Sequence, residues 1–507
     1  MSDEFERILI GPREMAMVDA DAAASGIDSF RLMLNAGEAV AAAALCHYPD
    51  SLRFVVLCGP GNNGGDGYVA AAAIARSGAN VSVYGLGVEA LKGDAAVARE
   101  AFGGDVQPLA SYGAQPGDVI IDAIFGAGLS RDVPDEVARI IAESGRLQVP
   151  VVAADVPSGL DGETGEVRGA AFAARHTVTF MARKPGHLLL PGRELCGALQ
   201  VFDIGIPKRL VAARGGALFE NGPGFFATAL AGPKADSHKY ARGHVAVFSG
   251  GATSSGAARL SATAALKAGA GAVTLVSPPE ALAVNAAHLN AVMLREADSR
   301  AIRSMLSDHR VSAFVVGPGY GVSAHLRELA LSLLTKPTVL DADALTAFAS
   351  EPKSLFEAIR AEGATVVMTP HEGEFGRLFP DLASTGGSKV DRARKAAERS
   401  GAVVVYKGSD TVIAAPDGRA AINSNAPADL ATAGSGDVLS GITAAMLAHA
   451  APAFEAACAA VWIHGRAGQV AGRGLTAETL VDAIPQAFQQ LACSTAPGFR
   501  QFPVHAG

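Results

Sequence analysis

Short apolar runs alternate with helix-like stretches along most of this 507-residue chain. In the first half the runs are 54–57, 81–84, 119–122, 151–154 and 177–180, with helical patterns at 14–21 and 30–46. The alternation resumes at 244–248, 271–276, 313–316, 338–340, 366–368 and 403–406, and a long helical tail follows Asp437. Parallel strands need long crossover connections, and helices between short apolar strands supply them. The pattern therefore predicts an α/β fold whose mostly parallel sheets are covered on both faces. Residues 205–239 are rich in Gly, Pro and Ala and carry no sustained period. The expected domain junction lies there, near residue 220, giving domains 1–218 and 219–507. A chain of this length exceeds what one hydrophobic core usually serves.

Composition narrows the partners. Apolar residues make up 49% of the chain and glycines number 58, which suits close helix–sheet contacts. A net charge of −8 without a basic stripe argues against nucleic acid, whose phosphates need a cationic face. No apolar run approaches the roughly 18 residues of a membrane span; the alanine-rich stretch 36–46 is broken by Glu38. The acidic start, Met1 to Glu6, is not expected to be a signal peptide. Cys46, Cys58, Cys196, Cys458 and Cys493 are scattered without C-x-x-C spacing, which favours a reducing compartment over a zinc site or disulfide framework. A cytoplasmic homo-oligomer that binds no membrane is expected.

In open parallel sheets ligands collect at the carboxyl ends of the strands. The first apolar run leads into Cys58-Gly59-Pro60-Gly61-Asn62-Asn63-Gly64-Gly65-Asp66-Gly67. Gly59, Gly61 and Gly64 satisfy G-x-G-x-x-G, yet run 81–85 lacks the acidic residue that a nicotinamide dehydrogenase places about 20 positions on. A structural turn is the other reading of this loop, although Asn62, Asn63 and Asp66 exceed what a turn needs. Asparagine oxygens and carbonyls also suit a hard monovalent cation. Two later runs end in carboxylates, Asp122-Ala123-Ile124-Phe125-Gly126-Ala127-Gly128 and Asp155-Val156-Pro157-Ser158-Gly159. A lone strand-end aspartate usually serves a turn or cap, but two beside a glycine loop point to a site.

The second half carries a different loop, Ala433-Gly434-Ser435-Gly436-Asp437, opening an apolar helix. Small residues let backbone N–H groups converge at the helix N-terminus, where the dipole favours an anion. An ordinary helix cap is the alternative, and no G-x-x-x-x-G-K-[ST] P-loop is present. Further loops follow apolar runs: Gly317-Pro318-Gly319-Tyr320-Gly321, Asp341-Ala342-Asp343, Thr369-Pro370-His371-Glu372-Gly373-Glu374 and Lys407-Gly408-Ser409-Asp410-Thr411.

In combination GNNGGDG, D-A-x-F-G-x-G, D-x-PSG, T-V-T-F followed by Lys184, and D-I-G-I-P resemble the NAD(P)H-hydrate epimerase domain over about residues 14–207. The resemblance implies a Rossmann-like α/β/α domain. It implies that Asn62, Asn63, Gly64, Gly65 and Asp66, with Gly126, Ala127, Gly128, Leu129, Ser130, Arg131 and Asp132, hold the hydrate's phosphates and ribose. Asn63, Asp122 and Ser158 would bind K+, and Asp155 would stand at the reacting carbon. That carbon bears a hydroxyl next to the ring nitrogen, so protonating the hydroxyl lets nitrogen expel water or open the ring. Re-addition on the other face inverts the centre, and a single carboxylate giving and taking a proton is the expected device.

The second-half loops, with residues 425–441 and His464-Gly465-Arg466-Ala467-Gly468, resemble the ADP-dependent NAD(P)H-hydrate dehydratase domain over about residues 239–485. A ribokinase-like α/β fold is implied. Ala257, Gly319 and His371 would contact the hydrate. Lys407, Gly408, Ser409, Asp410, Thr411 and Gly436 would bind the adenine nucleotide, with Mg2+ screening its phosphates. Asp437 would deprotonate the hydrate's hydroxyl, which attacks the terminal phosphate of ADP; phosphate then leaves with the push of the ring nitrogen. The sequence departs from the family's pattern at Lys239 to Gly243, at Asn425-Ala426-Pro427 and in the loop 250–256.

The expected function is therefore two-step repair of NADHX and NADPHX at the expense of ADP. A ribokinase-like small-molecule kinase with an accessory nucleotide-binding domain would share Asp437 but leave the first half unexplained. A non-enzymatic nucleotide-binding protein would leave both Asp155 and Asp437 idle.

Overall fold

The computed structural model describes residues 7–227, 230, 239–240 and 242–495. Within the predicted junction, residues 228–229 and 231–238 lie outside the described residues, as does residue 241 just beyond it. The chain divides into two compact units, Met1–Leu218 and Phe219–Gly507.

Among the described residues the first unit holds a seven-stranded sheet in the order β3-β2-β1-β4-β5-β6-β7. The strands are β1 (Arg53–Cys58), β2 (Val81–Gly85), β3 (Val106–Pro108), β4 (Asp118–Ala123), β5 (Val151–Ala154), β6 (His176–Phe180) and β7 (Ala198–Phe202). Every pairing is parallel. The strand order turns back between β1 and β4, where Leu57 lies opposite Asp122. A crevice opens at such a switch point because the connections leave in opposite directions. The helix Asn62–Arg76 starts there, directly after β1. Its entry is tight: a Cβ on Gly64 would overlap the Gly59 carbonyl oxygen, so glycine is required for the loop to fold back on the helix.

The second unit holds a ten-stranded sheet, in the order β11-β10-β9-β12-β13-β14-β15-β16-β17-β8. Here β8 is Leu218–Glu220, β9 His244–Phe248, β10 Ala272–Ser277, β11 Met293–Glu296, β12 Val311–Val316, β13 Thr338–Leu340, β14 Val366–Met368, β15 Val403–Tyr406, β16 Val412–Ala414 and β17 Ala420–Ile422. Strands β9 to β15 pair in parallel, and β15, β16 and β17 pair antiparallel. The tail comprises three helices, Ser435–Ala448, Ala453–Ala471 and Ala477–Thr495.

Alanine lets these helices approach one another and the sheet closely. Ala258, Ala262 and Ala265 on the helix Gly256–Lys267 join Val438, Ile442 and Ala445 in one buried cluster with sheet residues Val245, Val315 and Val339. Gly441 faces Ser261 so tightly that a Cβ would overlap the Ser261 carbonyl oxygen. Fully burying a Val, Leu or Ile side chain stabilises by about 1.5–3 kcal/mol, so this contact fixes the helix that carries Asp437.

The predicted α/β class and all of the predicted strands are present. Several elements are additional: β3 and β7 at the sheet edges, β8, β11, and the hairpin β16–β17. The edge strands β3 and β7 are largely exposed or half-buried, so they carry little apolar signal. The aperiodic stretch before residue 239 contains the helix Lys208–Arg214 and β8, both too short to show a period.

Candidate active sites

In the first unit a cavity of about 640 Å³ opens beside the ends of the central strands. Asn62, Asn63, Asp66, the loop Gly126 to Arg131 and Asp155 line it, together with Asp19, Phe180 and Lys184. Gly64 and Gly65 are buried in the first turn of the helix Asn62–Arg76, and Asp132 is exposed. Their backbone and position, rather than cavity-facing side chains, are what the structure gives them.

Asp155 follows β5 in a left-handed conformation, with φ 65°. Aspartate is one of the few side chains that tolerate this region. One carboxylate oxygen accepts the Ala127 N–H at 3.0 Å; the other accepts the Thr179 hydroxyl at 3.0 Å and lies 2.6 Å from Lys184 Nζ. Lys184 Nζ also donates to Thr179 Oγ1 at 2.8 Å, which closes a triangle. Below it, the Lys184 N–H donates to His187 Nδ1 at 3.0 Å, which leaves His187 Nε2–H to donate to the Asp155 carbonyl at 2.9 Å. Burial pushes the His187 imidazole down to about 4, keeping it neutral for this bridging role.

These contacts decide the charge of Asp155. Burial alone would raise its pKa, but the Lys184 ammonium and the hydrogen bonds outweigh it and hold the carboxyl at about 2. In this arrangement Asp155 is a carboxylate held by donors on both of its oxygens. Asp66 behaves oppositely: burial, then the nearby Asp155 and Asp19, push it well above the usual carboxylate range. Asp19 is also raised, mainly by burial.

Asp122, at the end of β4, accepts from the Ser158 N–H and Ser158 Oγ, each at 2.6 Å, and more weakly from Ile124 N–H at 3.3 Å. Burial raises it to about 6 despite these donors. The Phe125 N–H donates to Ser158 Oγ at 2.8 Å. Asn63 sits against the Gly126 turn, and its buried side-chain amide nitrogen has no hydrogen-bond partner. Asp122 and Ser158 are thus joined directly, whereas Asn63 is placed against the Gly126 turn. Among the described residues, no group of three or more His, Cys, Asp or Glu side chains is arranged to hold a metal ion.

In the second unit the helix Ser435–Ala448 starts from Gly434 in the left-handed region, φ 86°, and presents Asp437 in its first turn. Ser261 Oγ donates to the Asp437 carbonyl at 2.7 Å. Half-buried His464, its imidazole pushed down to about 4 mainly by burial, donates from Nε2 to the Ser435 carbonyl at 2.9 Å. Asn425 braces the approach to this loop: its side chain donates to the Trp462 carbonyl at 2.9 Å and accepts from Asn423 at 2.8 Å.

Lys407, at the end of β15, faces this helix; a Cβ on Gly436 would lie 3.4 Å from its Nζ. Its strongest partner is Asp341 at 2.8 Å, with Glu374 at 4.0 Å. Asp341 also accepts from Ser440 Oγ at 2.6 Å. The next residue, Ala342, is strained at φ 49°, ψ −115°, a conformation alanine rarely adopts and one typical of functional turns. Asp343 accepts the Gly321 N–H at 2.8 Å. Asp437 therefore sits in a carboxylate-rich corner without an ion-pair partner of its own among the described residues. Burial, then Asp341, push its pKa up to about 7 against the pull of Lys407, with Asp343 and Glu374 adding to the rise.

The remaining predicted residues fall around this corner. Ala257 is packed beside Gly319. His371 caps the helix Glu372–Leu378, accepting from Gly373 N–H at 3.0 Å, and its Nε2 lies 3.2 Å from Glu374. Gly408, Ser409, Asp410 and Thr411 form the turn between β15 and β16; Thr411 Oγ1 donates to the Gly408 carbonyl, and Asp410 pairs with Lys389 at 2.6 Å.

Sequence reasoning gave no role to Lys184, Thr179, His187, Asp341, Asp343, Glu374, Ser440, His464 or Lys389. Lys184, Thr179, Asp341, Asp343, Glu374, Ser440 and His464 stood in the quoted motifs or stretches, so a signal existed. His187 and Lys389 lay outside them and act through partners brought together only by the fold.

The sequence pattern of the NAD(P)H-hydrate dehydratase family matches residues 245–489, and that of the YjeF-related protein N-terminus matches 29–186. The bifunctional NAD(P)H-hydrate repair enzyme of Thermofilum pendens is 36% identical over 94% of this chain and 95% of its own length. That of Escherichia coli is 33% identical over 92% of this chain and 88% of its own. The chain belongs to the bifunctional NAD(P)H-hydrate repair enzyme family. The first unit is a Rossmann-like parallel α/β/α domain, and the second is an α/β domain on a mostly parallel ten-stranded sheet. A solved ADP/ATP-dependent NAD(P)H-hydrate dehydratase of Bacillus subtilis, co-crystallised with ATP and Mg2+, is 24% identical, covering 54% of this chain and 98% of its own, with a TM-score of 0.45. No described helix is long and apolar enough to cross a membrane.

Proposed function

We propose that this chain restores hydrated nicotinamide cofactors in two steps, epimerising the R and S hydrates in the first unit and dehydrating the S hydrate with ADP in the second. The observation that carries the reading is the position of Asp437. It is a carboxylate raised to about 7, set at the N-terminus of a long helix whose glycine entry exposes backbone N–H groups. A base that titrates near neutrality is matched to taking a proton from a hydroxyl. The adjacent N–H groups suit a transferring phosphoryl group.

In the second unit Asp437 takes the proton of the hydrate's hydroxyl as that oxygen attacks the terminal phosphate of ADP. The N–H groups at Gly434, Ser435 and Gly436 neutralise charge developing on the phosphoryl oxygens, and Lys407 stands beside them. The hydrate lies toward Ala257, Gly319 and His371. The oxygen donors of Asp343 and Glu374 are of the kind Mg2+ accepts when it accompanies a nucleotide. Bound there, the ion would screen the phosphates.

In the first unit the loop Gly126 to Arg131 and the N-terminus of the helix Asn62–Arg76 hold the hydrate's phosphates and ribose, and Asp155 faces the reacting carbon. Asn63, Asp122 and Ser158 would hold K+, which would supply positive charge to a corner where a buried carboxylate otherwise lacks it. The described cysteines are unpaired, which supports a reducing, cytoplasmic setting. Homo-oligomeric assembly is part of the same proposal and is tested by light scattering.

The test is recovery of dihydronicotinamide absorbance from a mixture of both hydrate epimers with ADP and Mg2+. Complete recovery in a fast and a slower phase supports both activities. No recovery with either ADP or ATP overturns the reading and favours a small-molecule kinase.

A further inference from the structure

The first site has to supply a proton to a hydroxyl, and Asp155 is already ionised within its ring of donors. Lys184 is the cationic neighbour that the geometry offers. Its side chain is buried, yet it reaches the cavity wall beside Asp155 and Phe180. Two of its three N–H bonds are well placed, on Asp155 at 2.6 Å and on Thr179 Oγ1 at 2.8 Å. Among the described residues the third has the Phe180 carbonyl at 3.4 Å, too long for a strong bond. That N–H is free to turn toward a hydroxyl bound in the cavity.

We propose that Lys184 is the catalytic proton donor of the epimerase site and that Asp155 and Thr179 hold its ammonium in place. This rests on the epimerase reading of the first unit. The step balances. Lys184 gives a proton to the hydroxyl as the carbon–oxygen bond breaks, the ring nitrogen's lone pair forms a carbon–nitrogen double bond, and water leaves. Water then adds to the opposite face, the double-bond electrons return to nitrogen, and the proton shed by that water restores the ammonium. Thr179 Oγ1, which accepts from Lys184 and donates to Asp155, ties donor and carboxylate into one unit.

The experiment compares full-length wild type with Lys184→Met, Lys184→Ala and Lys184→Arg on the mixed epimers with ADP. The fast phase, dehydration of the S hydrate, reports a folded second unit in every variant, and thermal unfolding followed by circular dichroism reports that the first unit, which carries Lys184, is folded too. Lys184→Met should slow the second phase by about 100-fold or more, the scale of a lost general acid. Lys184→Arg keeps the positive charge beside Asp155 but cannot release a proton, so it should be as slow as Met. Methylamine should accelerate the second phase of Lys184→Ala and leave wild type unchanged. A second phase at the wild-type rate in Lys184→Arg overturns the proposal, as does failure of methylamine to act on a folded Lys184→Ala. Wild type that never converts the R hydrate overturns the epimerase reading itself, a result distinguishable from either of these.

Discussion

Each unit brings an aspartate and a lysine together at the carboxyl edge of a parallel sheet, and the two pairs have opposite electrostatic outcomes. In the first unit Lys184 binds Asp155 itself at 2.6 Å, and the carboxyl is held at about 2. In the second, Lys407 binds the neighbouring Asp341 at 2.8 Å and leaves Asp437 to be pushed to about 7. Burial is the largest single influence on both aspartates and pushes both upward. The partner of the lysine decides the sign. On the proposed reading, the same two residue types yield a fixed anion that positions a donor and a base poised near neutrality.

The largest effect is expected from Asp437→Asn, which removes the proposed base. Single-turnover dehydration of purified S hydrate should fall about 10²–10⁴-fold; a rate near wild type would break the contrast between the two aspartates. Lys407→Met comes next. It leaves Asp341 buried without its counter-charge, and a cost of about 3–5 kcal/mol in urea unfolding of the second unit is expected. It also removes the one influence that lowers Asp437, so the acid limb of the dehydration profile should move to higher pH.

The pH profiles sharpen the comparison further. Dehydration should rise with pH through about 7 as Asp437 ionises, whereas Asp155 contributes no such limb because its titration lies at about 2. Stability follows with opposite signs. Asp155, depressed in the folded chain, stabilises above the ordinary carboxylate range, and that contribution is lost as pH falls toward about 2. Asp437, raised, contributes fully below the ordinary carboxylate range and loses that contribution as pH rises through about 7. Asp341→Asn should move the dehydration limb downward, because it removes the first charge that raises Asp437 and releases Lys407; an unmoved limb would break this account. The smallest effect is expected from Ser440→Ala, which deletes one hydrogen bond to Asp341. It should cost about 1.5–3 kcal/mol in unfolding and shift the limb slightly.

Much of the scaffold was legible because strand-length apolar runs separated by helical patterns have few other solutions. Runs 151–154, 244–248, 338–340, 366–368 and 403–406 coincide with the strands found. The hairpin β16–β17 escaped notice because Val412–Ala414 and Ala420–Ile422 are short and partly alanine, which has weak strand preference. Candidate residues were legible where chemistry and loop coincide, as at Asp155 and Asp437. Their charge states were not. Thr179 and Ser440 stand in recognised motif stretches, but nothing there shows that they bond to Asp155 and Asp341, which the fold brings to them.

The sequence by itself determined the α/β class, the two glycine loops and the identities of the two carboxylates, because backbone periodicity and glycine's freedom are local properties. Which lysine meets which carboxylate was decided only by the tertiary structure. Lys184 reaches back from the turn after β6 to the end of β5, and Lys407 reaches across from β15 to the end of β13. A few ångströms between buried charges set a pKa, and those distances exist only once the strands are side by side.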